Sequence, residues 1–180
     1  MSRSRSIMSS ETFRRATLGL GGNIGDPVRA MAEALRALDA RPDCRVVAVS
    51  RLYRTPPWGK TDQEWFFNAC ALIETALGPE PLLDTCLAIE RNMKRERKER
   101  WGPRTIDIDV LTYEGVEQAG GRLELPHPRM TGRGFVLMPL ADMAPTLDVL
   151  GRTVESWLGD ADIAGIEPAS AGSEWWKMAI

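Results

Sequence analysis

Cysteine is scarce in this chain. Cys44, Cys70 and Cys86 are an odd number, widely spaced, and two of them sit in apolar strand or helix patterns. That fits reduced, buried thiols in a cytoplasmic protein and argues against a cysteine-based metal site. Histidine is scarcer still, so any imidazole chemistry falls to His127, the sole one in 180 residues. No apolar run approaches the roughly 20 residues of a membrane-spanning helix. The start, Met1-Ser-Arg-Ser-Arg-Ser-Ile-Met-Ser-Ser10, lacks the apolar core of a signal peptide. Its Arg and Ser mimic an organelle transit peptide, but the run is short and Glu11 interrupts it. Residues 1–15 are expected to form a disordered tail. Excess charge is also missing: the formal net charge is −2, which gives no long-range pull toward nucleic acid or an anionic membrane. No internal repeat is visible. The length suits a single domain, expected over 16–160 with a C-terminal tail over 161–180.

What is present begins with Arg100-Trp-Gly-Pro-Arg-Thr-Ile-Asp-Ile-Asp109, which ends in a β-strand pattern. Strand alternation puts Asp107 and Asp109 on one face and Ile106, Ile108 and Val110 on the other. The two Cβ atoms then lie about 7 Å apart, within reach of one or two hard cations. Upstream, Lys94, Arg95, Arg97, Lys98, Arg100 and Arg104 form a local cationic run. Metal-binding carboxylates beside many cations suit a polyphosphate such as Mg-nucleotide, with Arg95, Arg97, Arg100 and Arg104 available to stabilise transition-state charge. The competing reading of the run is a solvated helix end, where cations suit the helix dipole.

Hydrophobic periodicity gives the order β-α-β-β-α-β. A strand over Ala16 to Gly22 runs into Gly21-Gly22-Asn23-Ile24-Gly25, and Asp26-Pro27 caps a helix carrying Val28, Met31, Leu35 and Leu38. A second strand is expected from Val46 to about Tyr53, then a loop over Arg54 to Asp62 that exposes Trp58, then a strand from Phe66 to Thr75. Gly78-Pro-Glu-Pro81 opens a helix with Leu82, Leu83, Cys86, Leu87, Ile89 and Met93 on its apolar side. The Asp107/Asp109 strand follows, then a short edge strand within Arg122 to His127 and helical pieces after Phe135. This is an α+β, ferredoxin-like arrangement: an antiparallel sheet with helices packed on one face and extra C-terminal elements.

Asn68 and Phe66 share a strand face, and an amide with aromatic planes at Phe66 and Phe135 suits a flat, hydrogen-bonding heterocycle; both phenylalanines also fit a plain core. His127 sits between two prolines that fix its loop. The glycine loop 19–25 matches neither a dinucleotide fingerprint nor a lysine-bearing phosphate loop, and a tight strand-to-helix turn explains it equally well.

Together these motifs resemble the 6-hydroxymethyl-7,8-dihydropterin pyrophosphokinase family. The resemblance rests on Arg-Trp-Gly-Pro-Arg-Thr-Ile-Asp-Ile-Asp, supported in order by Gly-Gly-Asn-Ile-Gly-Asp, Tyr-Arg-Thr-Pro-Pro-Trp-Gly, Phe-Asn-Ala and Pro-His-Pro-Arg-Met. It runs from about Leu18 to Leu147. It implies transfer of a pyrophosphoryl group from ATP to a pterin alcohol, with Asp107 and Asp109 binding two Mg²⁺ ions that bridge the ATP phosphates. It implies that Arg95, Arg97, Trp101, Arg104, His127 and Arg133 surround the triphosphate and reacting centre. The pterin would stack between Phe66 and Phe135, read by Asn68 and by the chain near Thr55, Pro57 and Trp58. Leu83, Glu90, Val110 and Arg122 correspond to adenosine-side positions. The loops at 22–26, 54–62 and 94–103 would close over substrate, and the enzyme would act as a monomer on small molecules. Three positions depart from the family pattern: Gly22 replaces a common serine, Lys94 a common glycine, and Thr131-Gly132 a common His-Glu pair.

Two other classes fit the same fold. An RNA-binding module is disfavoured by the negative net charge, the missing aromatic-basic strand motif and the paired aspartates, which repel phosphate unless metal intervenes. A nucleotide-sensing domain that lost its chemistry is disfavoured by intact Trp101, Arg104, Asp107 and Asp109.

Overall fold

The computed structural model describes residues 12–56, 64–96 and 106–178. The chain order is β1 (Arg14–Gly22), α1 (Pro27–Asp39), β2 (Cys44–Val49), β3 (Tyr53–Thr55), β4 (Phe66–Thr75), α2 (Pro79–Glu96) and β5 (Asp107–Tyr113). Then follow α3 (Gly134–Met143), a hairpin of β6 (Asp148–Val149) and β7 (Arg152–Thr153), α4 (Val154–Gly159), β8 (Glu167–Pro168) and α5 (Trp175–Met178). The main sheet runs β5-β1-β4-β3-β8, with β2 also paired to β4, and all its pairings are antiparallel.

Alternation along the three central strands builds two different faces. Ala16, Leu18 and Leu20 of β1, Ala69, Ala71 and Ile73 of β4, and Ile108 and Val110 of β5 point to one side. There they meet Met31, Leu35 and Leu38 of α1 and Leu82, Cys86 and Ile89 of α2. The α1 start is as the sequence predicts: Pro27 occupies the first turn and the Asp26 carboxylate accepts from the Arg29 amide at 3.1 Å. The opposite face carries Cys70 and Leu111, packed against Met130, Leu137 and Leu140 around α3, with Val154 of α4. The extra C-terminal helices α3 and α4 thus cover part of the second face and, among the described residues, leave the rest open.

Three expectations change. The single strand expected from Val46 to Tyr53 is two strands: the Ser50 amide still donates to the Cys70 carbonyl at 2.9 Å, but the return bond of the ladder goes to the Ser50 side chain. Its Oγ accepts from the Cys70 amide at 2.9 Å and donates to the Arg51 carbonyl at 2.7 Å. The stretch from Arg122 to His127 makes one bridge, Gln118 with Leu125, around a loop whose Gly120 and Gly121 sit at φ 74° and 72°. Finally, residues 161–178 pack onto the domain instead of trailing from it: β8 pairs with β3, and Trp176 is buried in the core beside α1. Residues 1–11 lie outside the described part, and β1 already begins at Arg14 within the expected tail.

Candidate active site

On the open part of the second face lies a cavity of about 340 Å³. Register explains its lining. Gly19 of β1 stands between Asp109 of β5 and Cys70 of β4, and Gly21 stands between Asp107 and Asn68. Two missing side chains in the middle strand make a floor, and the functional side chains rise on both sides of it. A Cβ on Gly21 would lie 2.7 Å from the Asn68 Oδ1, so any larger residue would push the Asn68 amide out of its place beside the floor. Phe66 and Thr55 border the Asn68 side, and His127, Arg133, Phe135 and Val136 complete the rim.

Each rim residue is placed by an identifiable contact. The His127 amide donates to the Leu111 carbonyl at 2.8 Å, which brings the imidazole alongside the aspartate strand. Its Nδ1 accepts from the Arg129 amide at 3.2 Å, leaving Nε2 to carry the proton. Arg133 caps α3, and its guanidinium sits over the Phe135 ring, 5.5 Å from the centroid. The Cys70 thiol donates to the Val136 carbonyl at 3.5 Å and ties the first turn of α3 to the sheet. Burial pushes that thiol far above its ordinary range, so it is an inert packing group.

Asp109 keeps solvent access, yet crowding by its surroundings raises its carboxyl above the usual carboxylate range; Asp107 adds to the rise, while His127 and Arg133 oppose it. Burial also lowers the His127 imidazole, with Asp109 pulling the other way and Arg133 and Arg129 reinforcing the drop. Such an arrangement sets two carboxylates side by side in a partly buried cavity. A hard cation fits it: two carboxylates on one face supply oxygen ligands of the kind Mg²⁺ takes while keeping waters and phosphate oxygens for its other positions. Among the described residues no cluster of three or more His, Cys, Asp or Glu is grouped for a metal.

Of the residues singled out in the sequence, Asp107, Asp109, Asn68, Thr55, Phe66, His127, Arg133 and Phe135 all line this cavity. The adenosine-side set does not. Val110 is buried in the helix-side core, and Leu83 packs against that same core. Arg122 forms an ion pair with Asp84 of α2. Glu90 reaches from α2 to accept the Ile108 amide at 2.6 Å, gripping the backbone between the two aspartates; burial holds its carboxyl above the usual range. Pro57, Trp58, Arg97, Trp101, Arg104 and the Arg95 side chain lie outside the described residues. The sequence pattern does not single out Leu20, Ala69, Cys70, Leu111 or Val136, and it marks the floor glycines as a tight turn or a weak phosphate cradle. The signal was available: Cys70 and Leu111 continue the alternation that pairs Asn68 with Phe66 and Asp107 with Asp109.

Comparison with known proteins returns one family. A model of the family described as 7,8-dihydro-6-hydroxymethylpterin-pyrophosphokinase matches residues 17–145. A Methylorubrum extorquens protein named 2-amino-4-hydroxy-6-hydroxymethyldihydropteridine pyrophosphokinase is 54% identical over 153 residues, covering 85% of this chain and 97% of its own length. A Pseudomonas aeruginosa protein of the same name is 42% identical over 156 residues, covering 86% and 96%. The crystal structure of wild-type Plasmodium falciparum HPPK-DHPS superposes with a TM-score of 0.65 at 18% identity, covering 82% of this chain and 41% of that one. At that identity the likeness speaks for the fold.

Proposed function

The chain belongs to the 7,8-dihydro-6-hydroxymethylpterin-pyrophosphokinase family, and on that premise we propose how its residues divide the work of the reaction. The enzyme moves a pyrophosphoryl group from ATP to the hydroxymethyl group of 6-hydroxymethyl-7,8-dihydropterin in folate biosynthesis. The observation that carries the assignment of roles is the floor of glycines with Asp107 and Asp109 on one side and Asn68 on the other.

In this reading the pterin lies over Gly21, its ring edge hydrogen-bonded by Asn68 and flanked by Phe66 and Phe135. Asp107 and Asp109 hold two Mg²⁺ ions, which when bound neutralise the triphosphate and draw charge from the leaving group. Arg133 and His127 stand beside the aspartates and contribute positive charge and an N–H to phosphate oxygens. Arg95, Arg97, Trp101 and Arg104 complete that set from the sequence motif. Glu90 serves the site through the backbone, fixing the strand that presents both aspartates. The hydroxymethyl oxygen forms a bond to the β-phosphorus as the bond from that phosphorus to the α,β-bridging oxygen breaks; AMP leaves with that oxygen, and the hydroxyl proton is released to solvent. Catalysis is then positioning and electrostatics, with no covalent enzyme intermediate. The three buried free thiols support a cytoplasmic setting, and a monomer is the working assembly.

The test is nucleotide chromatography after incubating the protein with MgATP, with and without the dihydropterin. AMP formed in step with a pterin diphosphate, and only when pterin is present, is the expected result. Asp107→Ala and Asp109→Ala should each lose at least about a thousandfold in turnover while remaining folded. ADP in place of AMP, or full activity in either variant, would overturn the assignment.

A further inference from the structure

The segment after α4 lies beyond residues 17–145 that the family match covers, and it touches both walls of the pterin half of the cavity. We infer that residues 162–168 form a positioning strap that sets the spacing between those walls, an inference that rests on the pterin reading above.

The first wall is the start of α3. Gly134 sits between Arg133 and Phe135, and a Cβ there would run into the backbone carbonyl oxygen of Asp162 and approach Ile163 Cγ2 at 3.1 Å. The strap backbone therefore lies directly against the residue that separates two rim side chains. The second wall is the end of β3. Gly165, at φ 80°, would with a Cβ lie 3.2 Å from Pro56, the neighbour of the rim residue Thr55. Between these two contacts the strap makes a compact turn. The Ala164 amide donates to the Asp162 carboxylate at 3.0 Å, and the Ile166 amide donates to the Ile163 carbonyl at 3.1 Å.

Beyond the turn the strap is anchored. Arg54 and Tyr53 of β3 pair with Glu167 and Pro168, and the Ala169 amide donates to the Leu52 carbonyl at 2.7 Å. The Arg54 Nε donates to Glu167 at 2.6 Å, and the same guanidinium covers the Trp65 ring at 4.9 Å, one residue before Phe66. A continuous chain of contacts thus runs from Gly134 through the strap to Pro56 and on through Arg54 to Trp65. Phe135, Thr55 and Phe66 are each adjacent in sequence to a residue the chain touches. It touches neither Asp107 nor Asp109, and it meets Arg133 only through the backbone at Gly134. The strap should therefore govern pterin affinity and leave ATP binding largely alone, since a misplacement of about 1 Å in a positioning contact is enough to change kinetics by an order of magnitude or more.

The experiment is steady-state kinetics on the full chain with three substitutions, each melted in parallel. Gly165→Ala strains the turn and presses on Pro56; Asp162→Ala removes the acceptor that closes the turn; Asp162→Asn keeps that acceptor without the charge. Gly165→Ala and Asp162→Ala are expected to raise KM for the dihydropterin about fivefold to tenfold, with KM for ATP and kcat within about twofold of wild type. Asp162→Asn should restore the wild-type value. Unchanged pterin KM in folded variants, or a KM for ATP that rises in step, would overturn the strap. If one variant fails to fold, the other still decides. Absence of AMP formation by the wild-type chain is a separate outcome that would instead remove the pyrophosphokinase reading.

Discussion

Gly21→Ala should weaken pterin binding while leaving the fold as stable as before or more so, and the two effects have separate physical origins. Gly21 sits in extended backbone that alanine adopts freely. Replacing a strand-interior glycine then reduces the freedom of the unfolded chain and adds about 0.5–1 kcal/mol of stability. The new methyl, however, would lie 2.7 Å from Asn68 Oδ1 and 3.5 Å from the Phe67 carbonyl oxygen. The first separation is too short for carbon against oxygen, and the Phe67 oxygen is fixed in the β-ladder, so the Asn68 amide is the group that swings away. An amide reading a heterocycle edge through two hydrogen bonds contributes about 1 kcal/mol per bond, or about 2 kcal/mol in all. That corresponds to about a thirtyfold rise in Kd for the dihydropterin. Fluorescence titration with the pterin, alongside thermal melts of the same protein, reads both quantities. Unchanged pterin affinity would refute the role given to Asn68. A loss of affinity accompanied by a lower Tm would refute the claim that the backbone at Gly21 accepts a side chain.

Mg²⁺ with a non-hydrolysable ATP analogue at a hundred times its Kd should stabilise the wild-type protein by about 2.7 kcal/mol; a melt of Asp109→Ala showing the same shift would separate that binding from the aspartates. The Arg41 guanidinium, paired with Asp43 at 2.8 Å, holds the Asp43 carboxyl below its usual range. Because its folded-state pKa is depressed, its contribution is present above about pH 4 and is lost as pH falls through the folded value. Asp43→Asn should cost about 0.5 kcal/mol at pH 7 by urea denaturation and converge on wild type as pH falls through the folded value; a constant difference across that range would mean the charge is not the cause. Trp176→Ala removes a buried indole from the core and should cost about 3 kcal/mol in the same assay, whereas a change near zero would mean that the C-terminal helix does not stabilise the domain.

Most of the sheet was legible because its two faces differ so sharply in residue type. Ile106, Ile108 and Val110 against Asp107 and Asp109 fix the strand, its face and the chemistry at once, and Ala69, Ala71 and Ile73 against Phe66 and Asn68 do the same for β4. The helices follow from 3.6-residue spacing and from the Asp26-Pro27 start. The resemblance supplied what periodicity lacks, namely that His127 and Arg133 converge on the same cavity from a loop and a helix start. Its adenosine-side positions lie outside that cavity. Val110 and Leu83 obey the same alternation and the same helical spacing as their core neighbours, and they are core-facing side chains in the fold.

The features that stayed hidden share a physical cause: they are made by backbone, or by the lack of a side chain, and a pattern of side chains is blind to both. Ser50 is the exception: a side-chain hydroxyl that accepts a ladder amide breaks the strand, and in sequence it looks like any serine flanking apolar residues. β8 is two residues held by main-chain pairing and carries no hydrophobic period. Gly134 matters because the Asp162 carbonyl occupies the space a Cβ would need, and Gly21 because Asn68 does. A glycine in a strand or helix start normally lowers confidence in that element, since it weakens the element on its own terms. Here the weakening is local and the close approach it permits is what opens the cavity and lets the strap reach its walls. Glycines inside otherwise regular elements, on the face that carries Asp107, Asp109 and Asn68, were therefore the sequence's own marker of the site.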